Sequence, residues 1–112
     1  MTEAQKRAQK KYRKSSNYRK NWRNNWYRRR YGISYKEFRV KIKAQRNRCP
    51  IGNHLFGPRG SASPLAPCLD HDHKAHKNRA VLCREHNRGL GSFHESLREL
   101  RAAITYLKHW RK

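Results

Sequence analysis

The sequence predicts a small α+β fold, with a two-stranded hairpin flanked by helices behind a long basic N-terminal helix. Three observations carry this. Residues 68–73 and 79–83 are short strand-like segments, and the stretch from Lys74 to Asn78 between them reads as a hairpin turn. Aromatic or apolar residues recur at helical spacing near both ends, as Tyr18, Trp22 and Trp26 and then as Leu97, Leu100, Ile104 and Leu107. Cys49 and the run Cys83-Arg84-Glu85-His86 have the composition and spacing of a metal site. Such a site would hold together a domain too short to rely on its core.

The elements follow in order. Residues from about 3 to 31 contain no Pro or Gly and many Lys and Arg, so they predict one helix. About 28 helical residues would span ~42 Å. Tyr18, Trp22 and Trp26 share one face of it and would pack on the domain, pair two copies or contact nucleic acid. Like charges at i, i+4 oppose this helix. Gly32 ends it. Ser34-Tyr35-Lys36-Glu37 fits a capping box and starts a helix with Phe38, Ile42 and Gln45 on one side, ending near Arg48. Cys49 to His54 reads as a turn. The Gly-, Ser- and Pro-rich stretch 57–67 reads as an irregular loop. A short helix is expected over 84–90 after the hairpin. The last segment, Glu95 to Trp110, predicts an amphipathic helix packing on the core. Residues 1–31 thus form an arm and residues 32–112 one domain.

Charge narrows the partner. The 112 residues carry 29 Lys+Arg against 7 Asp+Glu, a net charge of +22. At this density self-repulsion is severe without a counter-charge, which points to a polyanion and above all to nucleic acid. Arg23, Arg28, Arg29 and Arg30 in the arm, and Lys74, Lys77, Arg79 and Arg88 around the hairpin, are the candidate contacts. No apolar run approaches the ~18 residues of a membrane span, and no apolar stretch of signal-peptide type follows the N-terminus. Three cysteines, an odd number with metal-like spacing, suit a reducing cytoplasm better than a disulfide framework.

Cys83-x-x-His86 is half of a tetrahedral zinc site, and Cys49 is the natural third ligand. A Cys-x-x-Cys pair would place the fourth at position 52, which is Gly52. His54 reaches the site if the turn is longer, and Cys68 competes for the same place. The proposed set is Cys49, His54, Cys83 and His86, closed and structural.

Asp70-His71-Asp72-His73 cannot all serve that zinc. On a strand, alternation sends Asp70 and Asp72 to one face and His71 and His73 to the other, unless a bulge lets neighbours converge. Phosphodiester hydrolysis needs a base for water and a cation for the charge that builds on phosphate. Histidine suits the base at neutral pH. The oxygens of Asp70 and Asn87 suit Mg²⁺ or Mn²⁺.

At this point the chain resembles a known family. Leu69-Asp70-His71-Asp72-His73, Arg79-Ala80-Val81-Leu82-Cys83 and His86-Asn87-Arg88-Gly89-Leu90-Gly91 are similar to the phage recombination endonuclease VII family, within the HNH or His-Me finger nucleases. Arg30-Tyr31-Gly32-Ile33-Ser34, Ala44-Gln45, Arg48-Cys49, Leu97-Arg98, Ala103-Ile104 and Tyr106-Leu107 fit its flanks, so the resemblance covers roughly residues 28–108. It implies a zinc-stabilised ββα-metal core in residues 32–112 and a metal-dependent DNA endonuclease leaving 5′-phosphate and 3′-hydroxyl ends. His71 would be the general base, Asp70 and Asn87 would hold one Mg²⁺, and His73 would orient or polarise the site. Asp72 would anchor the hairpin. Duplex or branched DNA would be the substrate, a homodimer is compatible with it, and the location would be cytoplasmic, in the host cell for a phage protein.

Departures from the family pattern are specific. Gly52 and His86 stand where the second cysteine of each zinc pair is usual, so His54 must compensate. Ala75-His76 replace the usual Thr-Gly of the hairpin turn. Leu90 stands where the branch-cutting relative has an acidic residue, which makes a single-metal site the expectation. A non-catalytic zinc-stabilised nucleic-acid-binding module, or an RNA-binding one, would explain the charge and zinc ligands but not Asp70, His71 and Asn87 together.

Overall fold

The computed structural model describes residues 1–72 and 74–111. The described residues form five helices and a two-stranded antiparallel sheet, an α+β architecture. The chain folds as two compact units, Met1–Ala44 and Gln45–Lys112.

The first unit holds α1 (Glu3–Arg13), α2 (Ser16–Tyr31) and α3 (Tyr35–Ala44). The single long arm helix of the sequence reading is therefore corrected to two. The break is made by Ser15, whose Oγ accepts from the Tyr18 N–H at 3.2 Å and donates to the Tyr12 carbonyl at 2.6 Å. One hydroxyl thus satisfies a backbone group at the end of α1 and another at the start of α2, which is what serine does well at a cap. Tyr12 meets Tyr18 edge to face at 5.6 Å and accepts from Asn21 Nδ2 at 3.1 Å, which folds α1 onto α2.

The stripe of Trp22 and Trp26 is not the most buried face of α2. Trp22 and Trp26 stay 55% and 38% exposed, whereas Tyr27 is buried. Tyr27 packs at 4.8 Å from the fully buried Phe38, and Tyr31 stacks on Phe38 at 6.0 Å. The packing face of α2 is thus turned one residue along the helix, to Tyr27 and Tyr31. Arg23, one of the candidate nucleic-acid contacts, lies over the Tyr35 ring at 4.6 Å. Gly32 ends α2 as expected, in the left-handed conformation (φ 73°) that costs glycine little. Ser34 caps α3: its Oγ accepts from the Glu37 N–H at 3.1 Å and donates to the Glu37 carboxylate at 3.2 Å. That helix stops at Ala44 rather than near Arg48, because Arg46 and Asn47 both adopt positive φ, at 54° and 58°.

The second unit holds β1 (Pro67–Asp72), β2 (Lys77–Cys83), α4 (Arg84–Ser92) and α5 (Leu97–Trp110). The hairpin is present but its turn is shorter than expected, since Lys77 and Asn78 belong to β2. Asp72 anchors it: one carboxylate oxygen accepts from the Lys74 and Ala75 amides at 3.0 and 3.1 Å. These bonds hold the Asp72 carboxyl below its ordinary pKa. Leu69 pairs with Val81 but His71 pairs with Asn78, so Arg79 and Ala80 together oppose Asp70 in a bulge. The amide of Gln45 acts as an extra piece of strand, giving and taking a 2.8 Å hydrogen bond at the Val81 backbone.

The core is small: Leu69, Val81, Leu82, Cys49 and Cys83 are buried, with Phe56 and Leu90 packed against Cys49, Leu82 and Cys83. The expected packing of α5 on it is corrected. No residue of α5 is buried, and Leu97, Ile104 and Leu107 are 66%, 53% and 47% exposed. Helical spacing tells that a face is apolar and not whether a partner covers it. Among the described residues, no helix is long and apolar enough to cross a membrane.

Candidate active site and metal centre

The two halves of the cluster are built by local hydrogen bonding. In the first, the Asn53 N–H donates to the Cys49 carbonyl at 2.7 Å and the Cys49 N–H to the His54 carbonyl at 3.0 Å. Asn53 takes a positive φ of 55°, which folds His54 back toward Cys49. In the second, Cys83 ends β2 and caps α4, its Sγ accepting from the His86 N–H at 3.4 Å. The Cys83 N–H in turn points at Cys49 Sγ, 3.5 Å away, and joins the halves.

The four ligand atoms of Cys49, His54, Cys83 and His86 lie within 4.8 Å of one another. His86 Nδ1 is 3.1 Å from Cys83 Sγ and 3.7 Å from Cys49 Sγ. Zinc bonds of ~2.0–2.3 Å in a tetrahedron put ligand atoms about 3.3–3.8 Å apart. The residues therefore fit, and the Cys₂His₂ cluster can hold a structural metal such as zinc. His54 Nδ1 sits 3.1 Å from the Leu55 carbonyl, an acceptor that places the ring hydrogen there and leaves Nε2 as the ligand. Burial alone would raise the Cys49 thiol. Hydrogen bonds from the Cys83 and Gly52 amides, from His86 and from the Ile51 amide outweigh it and lower the pKa to about 6. Burial raises Cys83, so the first thiolate forms at Cys49. Cys68 stands apart, with its Sγ 3.8 Å from the Ala66 carbonyl.

Gly52 gains a meaning that the spacing alone hid. A Cβ there would lie 2.5 Å from His54 Cδ2, 2.6 Å from His54 Nε2 and 2.7 Å from His86 Cε1. The missing side chain is the space that the two imidazoles occupy. Gly52 and His54 are thus sterically linked, because a side chain at position 52 would crowd the imidazole of His54.

On the hairpin, the pleat and the bulge draw the neighbours Asp70 and His71 to different partners. Asp70 is buried, and the Arg79 guanidinium grips it with Nε on Oδ2 at 2.6 Å and Nη2 on Oδ1 at 3.1 Å. Arg79 Nη2 also reaches Glu95 at 2.5 Å, and Nη1 lies 3.9 Å from Asp72. The Asp70 hydrogen bonds, and after the opposing effect of burial those of Glu95, raise the Arg79 pKa above its ordinary value. His71 is half-buried, with Nδ1 at 3.0 Å from Asn78 Oδ1. An amide oxygen only accepts, so Nδ1 carries the hydrogen and Nε2 the lone pair. Asn87 is half-buried on the first turn of α4, directly after His86, and α4 packs against both strands. His73 lies outside the described residues. Asn78, Glu95 and Gln45 were missed in the sequence; the first would have followed from the hairpin register, since it faces His71 across the strands.

A basic chain in which a hairpin runs into a helix through a Cys/His cluster belongs to the class of small α+β proteins with a cluster able to hold a metal. The model of the recombination endonuclease VII family matches residues 24–109, and the chain belongs to that family. It is accordingly a nuclease. No curated protein and no solved structure matches the chain.

Proposed function

We propose that the protein is an HNH-type, metal-dependent DNA endonuclease with a ββα-metal core, and that His71 is its general base. The observation that carries this is the His71–Asn78 hydrogen bond, in which Nδ1–H faces an amide oxygen, so that Nε2 is the ring nitrogen able to take a proton from water. Buried Asp70 already holds a cationic group in this structure, so its oxygens fit a hard divalent cation. Asp70 and Asn87 would hold that cation, Mg²⁺ or Mn²⁺, which when bound supplies charge stabilisation at the scissile phosphate. Asn87 directly follows His86 in α4, so the zinc turn would position this catalytic side chain. His73 is assigned to orienting or polarising the site. Arg23, Arg28, Arg29, Arg30, Lys74, Lys77 and Arg88 are assigned to DNA phosphates. Residues 1–31 act as a DNA-binding arm and 32–112 as the nuclease domain.

The test is nicking of supercoiled plasmid by purified, zinc-loaded protein. Cutting is expected with Mg²⁺ or Mn²⁺ and none with a chelator of those ions, and the nicks should be sealed by a ligase that requires 5′-phosphate and 3′-hydroxyl ends. Absence of cutting across linear, nicked, branched and four-way DNA would leave the second reading, a zinc-stabilised DNA-binding module. The Arg79 grip on Asp70 is the observation that favours that alternative.

Binding itself should be strongly salt-dependent. The slope of log K against log[salt] is about −0.9 for each phosphate neutralised. With roughly 6–10 contacts, affinity would fall by about 10³–10⁵ between 50 and 200 mM salt. A flat titration would remove the phosphate assignments.

A further inference from the structure

The chain has 7 acidic residues among 112. Three of them, Asp70, Asp72 and Glu95, converge on the one guanidinium of Arg79. The Asp70 side chain is only 9% exposed, so its charge needs a cationic partner in the free protein. Arg79 supplies it in a fork that engages both carboxylate oxygens. A divalent cation on either oxygen would sit within a few ångströms of the guanidinium, with like charges and little water between them. Arg79 and the cation therefore compete for Asp70.

Arg79 is also built to leave. Its side chain is 39% exposed, so part of it faces solvent. It lies in the bulge, where Arg79 and Ala80 together oppose one residue and the ladder is interrupted. Its fork matches a phosphate as well as a carboxylate. Glu95 holds it in the bridging position from a connection in which His94 and Glu95 both take positive φ, at 55° and 53°. Side chains seldom adopt that conformation, and the Glu95 N–H bond to the Leu90 carbonyl at 2.8 Å helps keep it.

We propose that Arg79 couples metal loading to substrate: it occupies Asp70 in the free protein and moves to a phosphate of bound DNA, which opens Asp70 to the divalent cation. Glu95 is the positioning residue that holds Arg79 over Asp70. The inference rests on the reading of Asp70 as a metal-holding carboxylate.

The test measures Mn²⁺ affinity by the EPR signal of free Mn²⁺. Zinc-loaded protein carrying His71→Ala is used, so that DNA stays intact. Titrations run with and without a short duplex, and duplex alone is subtracted. In this parent, Mn²⁺ binding should be weak and should tighten with DNA by about 5- to 150-fold, the usual size of a coupling between two sites. Arg79→Met should bind Mn²⁺ tightly without DNA and gain little from it. Glu95→Gln removes a negative charge, which by itself would weaken cation binding, yet it should tighten Mn²⁺ binding in the free protein because Arg79 loses an anchor. Unchanged DNA dependence in Arg79→Met, or weaker Mn²⁺ binding in Glu95→Gln, overturns the proposal while leaving Asp70 as ligand. If Arg79→Met loses its zinc and does not fold, the Glu95→Gln result decides. Asp70→Asn should abolish Mn²⁺ binding in both conditions. If it binds as the parent does, the ligand reading fails and the coupling fails with it.

Discussion

His71→Ala should leave DNA binding and zinc content unchanged and slow DNA cleavage by about 10²–10⁴-fold, the range for loss of a positioned general base. Single-turnover nicking at saturating protein separates this from weaker binding. The expectation is specific because His71 is held on β1 by its cross-strand partner Asn78 at 3.0 Å. Asn78→Ala keeps the imidazole but removes the acceptor that selects its tautomer. It should cost less, about 10–100-fold, by analogy with removing the hydrogen-bond partner that orients a metal-ligating histidine. Equal rates for the wild type and His71→Ala would show that another group takes the proton.

Removal of zinc has the larger structural effect. Cys83→Ser, or prolonged treatment with a strong zinc chelator, should unfold residues 45–112, seen as loss of the cooperative thermal transition by circular dichroism. Structural zinc contributes apparent binding free energy of roughly 10–16 kcal/mol. A whole domain is stable by only about 5–15 kcal/mol. Here the ligands are also the core, since Cys49 and Cys83 are fully buried and little else is. Gly52→Ala should weaken zinc retention, because its methyl group meets the His54 and His86 rings at 2.5–2.7 Å. Gly89→Ala, which meets nothing within 4 Å inside α4, should instead be neutral or stabilising by about 0.4–1 kcal/mol. Cys68→Ser should keep its zinc. A zinc-free Cys68→Ser beside a zinc-loaded His54→Ala would exchange the two residues in the ligand set.

Features set within a few residues were legible from the chain. The Ser34 cap, the Gly32 stop and both halves of the Cys/His cluster depend on spacings of five residues or fewer, where covalent geometry limits the outcomes. The bulge was anticipated only as a device. Which residues it sets opposite Asp70 depends on register, which one skipped pair changes. Ser15 was legible in principle, but a serine within a basic helical run reads equally as a tolerated interior residue.

The sequence by itself determined a basic chain, its α+β class, three metal-ligand positions with two contenders for the fourth, and the Asp70, His71 and Asn87 candidates. Local spacing, charge and side-chain chemistry suffice for these. Only the tertiary structure decided that Tyr27 rather than the Trp22 and Trp26 face is buried, and that the apolar stripe of α5 is not. It also decided that Asn78 holds His71, that Gly52 leaves room for two imidazoles, and that Arg79 turns inward onto Asp70 and Glu95. These are meetings between residues distant in the chain or paired by register. Their partners are chosen by the free energy of the whole packed unit, which no local pattern contains.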